Sequence, residues 1–187
     1  MTAFARMLEG TVARYRATVA DGTDDLALLL ERMAAGDALD DRRTVPGHVT
    51  TSAVIVDPAV SQTLFIHHRA AGRWFQPGGH WEPAPRFVDS ARREAEEETG
   101  AAGLGLHPWH GTVEDPLPID IDSHDIPARP ARGEPAHVHF DMRFVFVLEP
   151  GAVLSAQDAE VSGLAWRPIA DLARVCPRVH ARLRSRW

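Results

Sequence analysis

Residues 79–101, GHWEPAPRFVDSARREAEEETGA, constrain what this chain can fold into more than any other stretch. Four glutamates crowd into five positions at the end of a predicted helix, and at about 100° per residue Glu94, Glu97 and Glu98 share one face. Like charges at this spacing cost an isolated helix roughly 0.2–0.5 kcal/mol per pair. Gly100 is a typical helix end, so the helix dipole disfavours these anions as well. Such concentrated negative charge favours a divalent cation held by oxygen ligands.

The surroundings of this acidic face set it apart from a solvated helix surface, which is the simpler interpretation of a glutamate run. An apolar stripe borders the acidic face instead of opposing it, and consists of Val88, Ala91 and Ala95. Residues 76–80, QPGGH, form a turn sequence in which backbone carbonyls can point inward. A loop carbonyl and three carboxylates together predict a site for Mg²⁺ or Mn²⁺.

The same segment resembles the signature of the Nudix hydrolases, G-x5-E-x7-R-E-U-x-E-E-x-G-U, in which U is an aliphatic residue. The polar and glycine positions that match at the correct spacing are Gly79, Arg93, Glu94, Glu97, Glu98 and Gly100. Ala95 and Ala101 fill the aliphatic positions with small side chains. Pro85 stands where the signature has its first glutamate, and Glu82 lies three residues earlier. The order of the surrounding segments extends the resemblance over about residues 45–180.

The resemblance implies hydrolysis of a nucleoside diphosphate linked to another group, with Mg²⁺ or Mn²⁺ as cofactor. It also implies that Glu94, Glu98 and the carbonyl of Gly79 bind the metal, and that Glu97 is a further ligand or the base that activates water. Arg93 then holds a glutamate in place through a salt bridge. This chemistry is physically reasonable, because metal ions offset the charge of the pyrophosphate and lower the pKa of bound water.

The departure at Pro85 leaves three points open. The number of bound metals is not fixed, and the base can lie outside the signature, with Glu160 and Asp158 as candidates. A non-catalytic Nudix-like sensor is the main alternative function, although a site without chemistry has no need to keep mutually repelling glutamates. A histidine-rich metal protein of the cupin type is a further alternative, but it leaves the acidic helix unexplained.

A second polar surface is predicted on two strands. In residues 138–148 apolar side chains alternate with polar ones, so that His137, His139, Asp141 and Arg143 face one side. The segment at 120–124 alternates in the same way and places Asp120, Asp122 and His124 together. If these strands pair, their polar groups share one face, which is either an ordinary wet sheet surface or a wall that binds substrate or a second metal. Our hypothesis is that this wall faces the acidic helix.

The predicted substrate-binding residues are His137, His139 and Asp141 on this wall, together with Arg73 and His80 beside the glycine turn. His80 follows Gly79 and could touch a phosphate, and Arg73 could pair with one, although each could also be an ordinary turn residue. The expected partner is a small phosphorylated molecule.

The order of predicted elements indicates an α+β fold, a Nudix-like α/β/α sandwich with a mixed central sheet. Residues 45–187 form the predicted hydrolase domain. Residues 1–44 carry two helical patterns, which predict an N-terminal helical hairpin that packs on the main domain or on the second subunit of a homodimer.

Composition excludes several classes of function. The net charge of −6 at pH 7 argues against nucleic-acid binding. No apolar run reaches the roughly 18–20 residues that span a membrane. One cysteine, Cys176, excludes an internal disulfide and fits the reducing cytoplasm.

Overall fold

A mixed β-sheet forms the centre of the molecule. The structure, a computed structural model, describes residues 1–19, 24–112, 114–156 and 160–185. Within these residues the strands are β1 (Gly47–Val56), β2 (Gln62–His68), β3 (Arg73–Phe75), β4 (Gly78–His80), β5 (Gly105–Leu106), β6 (Asp120–Ile126), β7 (His137–Val147) and β8 (Val161–Pro168). The α-helices are α1 (Ala3–Thr18), α2 (Ala27–Ala35), α3 (Phe87–Thr99) and α4 (Pro177–Arg184). No helix in this part of the chain combines the length and apolar character needed to cross a bilayer.

Strand β1 is the hub of the sheet. It lies parallel to β7, with His48 opposite His139, and antiparallel to both β2 and β4. On its β4 side, Thr51 lies opposite Gly79. Strand β6 continues the sheet beyond β7 in an antiparallel sense, and β2 also pairs with β3 and β8. The short strand β4 is therefore held in register by the central strand of the sheet.

Helices cover both faces of the sheet because β7 contributes apolar side chains to each of them. On one face its aromatic residues pack with the apolar stripe of α3; this core includes Phe140, Met142, Phe144, Val88, Ala91 and Ala95. On the other face a smaller core joins the sheet to α4 and includes Val54, Phe65, Val145, Cys176, Val179 and Leu183. The mixed sheet between helices confirms the predicted α+β class.

The N-terminal helix α1 packs on the same core as α3. Its first turn begins at Thr2, whose hydroxyl accepts a hydrogen bond of 3.1 Å from the Ala5 amide. Phe4 contacts Trp81 and Phe87, with ring centroids 5.6 and 5.9 Å away. This packing within one chain is one of the two placements that the sequence predicts, while the dimer stays a prediction.

A buried ionic network joins α1, β6, β7 and α4. Its centre is Asp120, which is 1% exposed. The carboxylate of Asp120 accepts hydrogen bonds from the Tyr15 hydroxyl at 3.1 Å and from Arg143, Arg178 and Arg182 at 3.2, 2.9 and 2.9 Å. Because buried charges are tolerated only when they are paired and hydrogen-bonded, this network fixes how these four elements meet.

Candidate metal and catalytic site

Helix α3 directs its glutamates toward the glycine turn because the apolar stripe beside them is buried. The helix begins after Arg86 and ends at Gly100, whose φ of 65° is the left-handed conformation of a glycine cap. Ala91 and Ala95 are fully buried in the core below it. The face beside this stripe therefore lies at the edge of the core, where β4 passes.

Glu98 and Glu94 lie directly against β4. Glu98 is only 5% exposed, and its Oε2 accepts a hydrogen bond of 2.8 Å from the amide of Gly78. Glu94 lies over the next residue, since a Cβ added at Gly79 would come within 2.7 Å of Glu94 Cδ. Two carboxylates thus meet two consecutive backbone residues of the turn, and glycine at position 79 is what lets Glu94 approach this closely.

Arg93 holds the exposed side of the acidic cluster. Its guanidinium lies 2.7 Å from Glu94 Oε1, 2.7 Å from Glu97 Oε2 and 3.6 Å from Glu82 Oε2. The Glu97 side chain is 55% exposed and turns toward this arginine. As a result, the carboxylates of Glu94, Glu97 and Glu98 do not converge on one point. Their oxygens do not all lie within 4.8 Å of one another.

Burial makes Glu94 electrostatically costly. Loss of hydration raises the pKa of its carboxyl, the charge of Glu97 raises it further, and the ion pair with Arg93 lowers it. A divalent cation beside Glu94 would act in the same direction as Arg93 and favour the charged form. The donor set here, carboxylate oxygens and backbone, suits a hard cation such as Mg²⁺ or Mn²⁺.

The structure also shows what surrounds Pro85, the position at which the chain departs from the signature. Pro85 lines a cavity of about 150 Å³ together with Met7 and Thr11, so it faces α1. Of the two candidate bases outside the signature, Asp158 lies outside the described residues. The carboxylate of Glu160 lies 3.3 Å from His68 Nε2. The assignment of a general base to either residue stays a prediction.

The predicted second surface forms, but on the far side of the sheet. Strands β6 and β7 pair with Asp122 opposite Asp141 and His124 opposite His139, so their polar groups do share one face. The hypothesis that this wall faces the acidic helix is wrong. Side chains alternate along β7, and the face that packs on α3 is the apolar one that carries Phe140.

Asp141 lies inside the wall and is nearly inaccessible. Its carboxylate accepts hydrogen bonds from Thr50 at 3.1 Å, Ser52 at 2.6 Å and Arg143 at 3.0 Å. With both oxygens engaged, Asp141 holds β1 and β7 together and has little capacity left for direct contact with a substrate. Arg73, by contrast, is exposed on β3 opposite His68.

Sequence reasoning missed one histidine, His48, and three of the predicted substrate-binding histidines surround it. His48 on β1 has its ring 5.2 Å from that of His80, 5.0 Å from His137 and 4.9 Å from His139. Burial lowers the pKa of His80 to about 4 and that of His139 to about 2, so both rings are neutral at pH 7. The parallel register of β1 and β7 creates this cluster, and no local pattern in the sequence reveals that register.

Comparison with known proteins agrees with this fold. The sequence model of the NUDIX domain matches residues 46–185, about three quarters of the chain. The chain therefore belongs to the NUDIX domain family, as residues 79–101 predict.

Individual relatives are distant. The "Probable DHNTP pyrophosphohydrolase" of Lactococcus lactis subsp. cremoris (strain MG1363) is 30% identical over 103 residues, which is 55% of this chain and 53% of the relative. The chain thus matches about half the length of that protein. A C. elegans Ap4A hydrolase in a binary complex shares the fold with a TM-score of 0.53 at 14% identity, covering 73% of this chain and 95% of its own. A NUDIX-family hydrolase from Clostridium perfringens has a TM-score of 0.47 at 22% identity, with coverage of 72% and 91%.

Proposed function

We propose that this chain hydrolyses the pyrophosphate bond of a nucleoside diphosphate linked to another group, with Mg²⁺ or Mn²⁺ as cofactor. The observation that carries the proposal is the placement of Glu94 and Glu98 against Gly79 and Gly78. Family membership and the name of the Lactococcus relative, a probable pyrophosphohydrolase, support the same reaction class.

The residues present fit a hard divalent ion. Mg²⁺ usually keeps several waters and binds through one or two carboxylates plus the phosphates of its substrate. Glu94, Glu98 and the carbonyl of Gly79 would hold it. The metal would offset the charge of the substrate and make a bound water more acidic. The separation of the three glutamates is therefore no obstacle, because a site completed by waters and phosphate needs fewer protein ligands.

The remaining residues position and exchange protons. Arg93 holds Glu94 and Glu97 at 2.7 Å each and so orients both carboxylates. We assign Glu97 as the base: its exposed carboxylate takes the proton that the attacking water loses. The water oxygen bonds to phosphorus, the bridging P–O bond breaks, and its electron pair leaves with the departing phosphate. Charge-assisted hydrogen bonds in a fixed frame supply this positioning.

Substrate contacts by Arg73, His80, His137, His139 and Asp141 stay predictions with unequal support. Arg73 is exposed, which favours it for phosphate contact, whereas His80, His137 and His139 lie on the face of the sheet opposite α3, which disfavours direct contact with a phosphate held at the glutamates. Asp141 has its oxygens occupied, so we give it a positioning role. Replacing Arg73 by Ala should raise KM, whereas Arg69→Ala, at an exposed position of the turn between β2 and β3, should not. Equal KM values for both variants would remove Arg73 from the site.

The decisive assay is a screen of nucleoside diphosphate derivatives and dinucleotides with Mg²⁺ or Mn²⁺, in which phosphate is measured after a phosphatase step. The test variants are Glu94→Gln, Glu97→Gln and Glu98→Gln, and the matched control is Glu96→Gln, an exposed residue of the same helix turn. We expect the three test variants to lose at least about 100-fold in kcat, of the order found for general-base and electrostatic groups. A comparable loss in Glu96→Gln would show that bulk helix charge, and no specific site, controls the rate.

The non-catalytic sensor remains the alternative, and Pro85 in place of the usual glutamate is the observation that favours it. Tight binding of a nucleotide without turnover of any substrate in the screen would support the sensor. Four further points remain predictions. The composition predicts a cytoplasmic protein that binds neither nucleic acid nor membrane, and the N-terminal helices predict a homodimer.

A further inference from the structure

A separate cluster of possible metal ligands lies on the face of the sheet opposite α3. It consists of His48 on β1, His80 on β4 and His139 on β7. One ring nitrogen of each lies within 4.8 Å of the other two, and no other group of three His, Cys, Asp or Glu side chains in the described structure is as close. Three strands that are far apart in sequence therefore bring imidazoles together, in a place that the proposed hydrolytic residues of α3 do not reach.

His48 carries the clearest sign of a ligand. The side chain is 2% exposed, and its Nδ1 lies 3.4 Å from the carbonyl oxygen of Thr44. A carbonyl can only accept a hydrogen bond, so the proton of the neutral ring belongs on Nδ1, and Nε2 presents a bare lone pair. That Nε2 is buried and has no hydrogen-bond partner. Metal-binding histidines have this arrangement, with one nitrogen donating to a backbone carbonyl and the other facing the ion.

A fourth ring shows the same arrangement at the rim of the cluster. His137 Nδ1 lies 2.9 Å from the carbonyl oxygen of Pro135, which again places the proton on Nδ1. Its Nε2 lies 3.2 Å from His139 Nε2. Two nitrogens bound at about 2.0–2.1 Å to a tetrahedral ion are separated by about 3.3 Å, so this spacing fits two neighbouring ligands.

We propose that His48, His80 and His139 bind a transition-metal ion of the imidazole-preferring class, with Zn²⁺ as the expected ion and an open fourth position beside His137. Imidazole nitrogen suits zinc and not Mg²⁺ or Ca²⁺, which take oxygen ligands. The ion would tie β4 to β1 and β7 and so hold the strand that carries Gly79. This site is chemically distinct from the carboxylate site on α3 and stands whether or not the chain hydrolyses pyrophosphate.

Zinc binding is testable on the full chain, prepared without a histidine tag and freed of metal with a chelator. We expect one equivalent of Zn²⁺ to bind in competition with a chromophoric chelator. Co²⁺ in its place should give the visible absorption bands of a low-coordinate, nitrogen-ligated ion. His80→Gln and His139→Gln should each weaken Zn²⁺ binding by more than the 10–100-fold that loss of an outer-sphere partner typically costs. Circular dichroism establishes that each variant is folded.

Two controls make the result specific. His67→Gln removes a histidine on β2 that lies outside the cluster, and the double variant Glu94→Gln/Glu98→Gln removes the carboxylates of α3. Both should bind Zn²⁺ as the unmodified chain does. Failure of the folded wild-type chain to bind one equivalent would overturn the proposal. Unchanged affinity in His80→Gln and His139→Gln would also overturn it, as would loss of zinc in the α3 double variant with retention in the histidine variants. Because Zn²⁺ is read directly, none of these outcomes depends on turnover.

Discussion

Replacing Asp120 by Asn tests whether the buried ionic network holds the fold together. The substitution keeps the shape of the side chain and one oxygen acceptor but removes the negative charge. Arg143, Arg178 and Arg182 all donate to this carboxylate, at distances between 2.9 and 3.2 Å. In the variant their charges face a neutral amide at the centre of the network.

The size of the effect follows from how the arginines are otherwise paired. Removing one partner of a buried ion pair typically costs about 3–5 kcal/mol, because the other charge is left uncompensated. Arg143 keeps ion pairs with Asp122 at 2.8 Å and with Asp141 at 3.0 Å. We therefore expect the low end, about 3 kcal/mol of unfolding free energy. For a chain of this length the corresponding fall in Tm is roughly 6–12 °C.

The assay is urea unfolding at pH 7, followed by far-ultraviolet circular dichroism. The matched control is Asp125→Asn, which removes the same charge from an exposed position of the same strand. Surface substitutions of this kind usually change the unfolding free energy by less than about 0.5 kcal/mol. If Asp120→Asn lost no more than the control, the network would contribute nothing net, and the argument from desolvated charge would be wrong.

Three further predictions concern single residues. Gly79→Ala places a Cβ 2.7 Å from Glu94 Cδ and must displace that carboxylate, so the Mg²⁺ concentration for half-maximal activity should rise at least tenfold, with Tm nearly unchanged. Burial raises the pKa of Glu94 above its ordinary value of 4.5, so the folded state is destabilised at a pH where this carboxyl is charged. Calorimetry of the metal-free protein should therefore show a higher Tm for Glu94→Gln at pH 7 but not at pH 4. Burial also lowers the pKa of His110 from 6.5 to about 4, so its stabilising contribution is present above pH 6.5 and is lost as the pH falls; this shift corresponds to about 3 kcal/mol. Between pH 7 and pH 4, the unfolding free energy of His110→Asn, measured by urea titration, should therefore fall by about 3 kcal/mol less than that of the unmodified chain.

Local periodicity accounts for what the sequence predicts well. The apolar stripe and the glycine end predict a helix over residues 86–99, and the structure has it as Phe87–Thr99. Strict alternation predicts the strand at 138–148, observed as His137–Val147, and also the shared polar face with residues 120–124. In each case the relevant side chains lie within one element or on neighbouring strands, so the period of that element determines which way they face.

The failures arise where the answer depends on long-range register. Alternation shows that His139 and Asp141 oppose the apolar face of β7, but it does not show which face α3 covers. His48 has its ligand-like neighbours on β4 and β7, and only the parallel pairing of β1 with β7 places it opposite His139. The helix-face argument also treats Glu97 as equivalent to Glu94. The structure separates them, because Arg93 lies between the two and leaves Glu97 at the surface.

The order Gly-Gly-His in β4 is determined from both sides of the sheet. A Cβ at Gly78 would lie 2.9 Å from Ser52 Cα, and Ser52 is already engaged with Asp141 on the histidine face. The next residue, Gly79, turns to the other face and meets Glu94, so it too must lack a side chain. Because strand side chains alternate, position 80 returns to the histidine face. Shifting β4 by one residue would exchange these faces and place an imidazole against the glutamates of α3. The three residues of this short strand therefore keep the carboxylate site and the imidazole site on opposite faces of the sheet. Both sites form only when β4 pairs with β1 in this register.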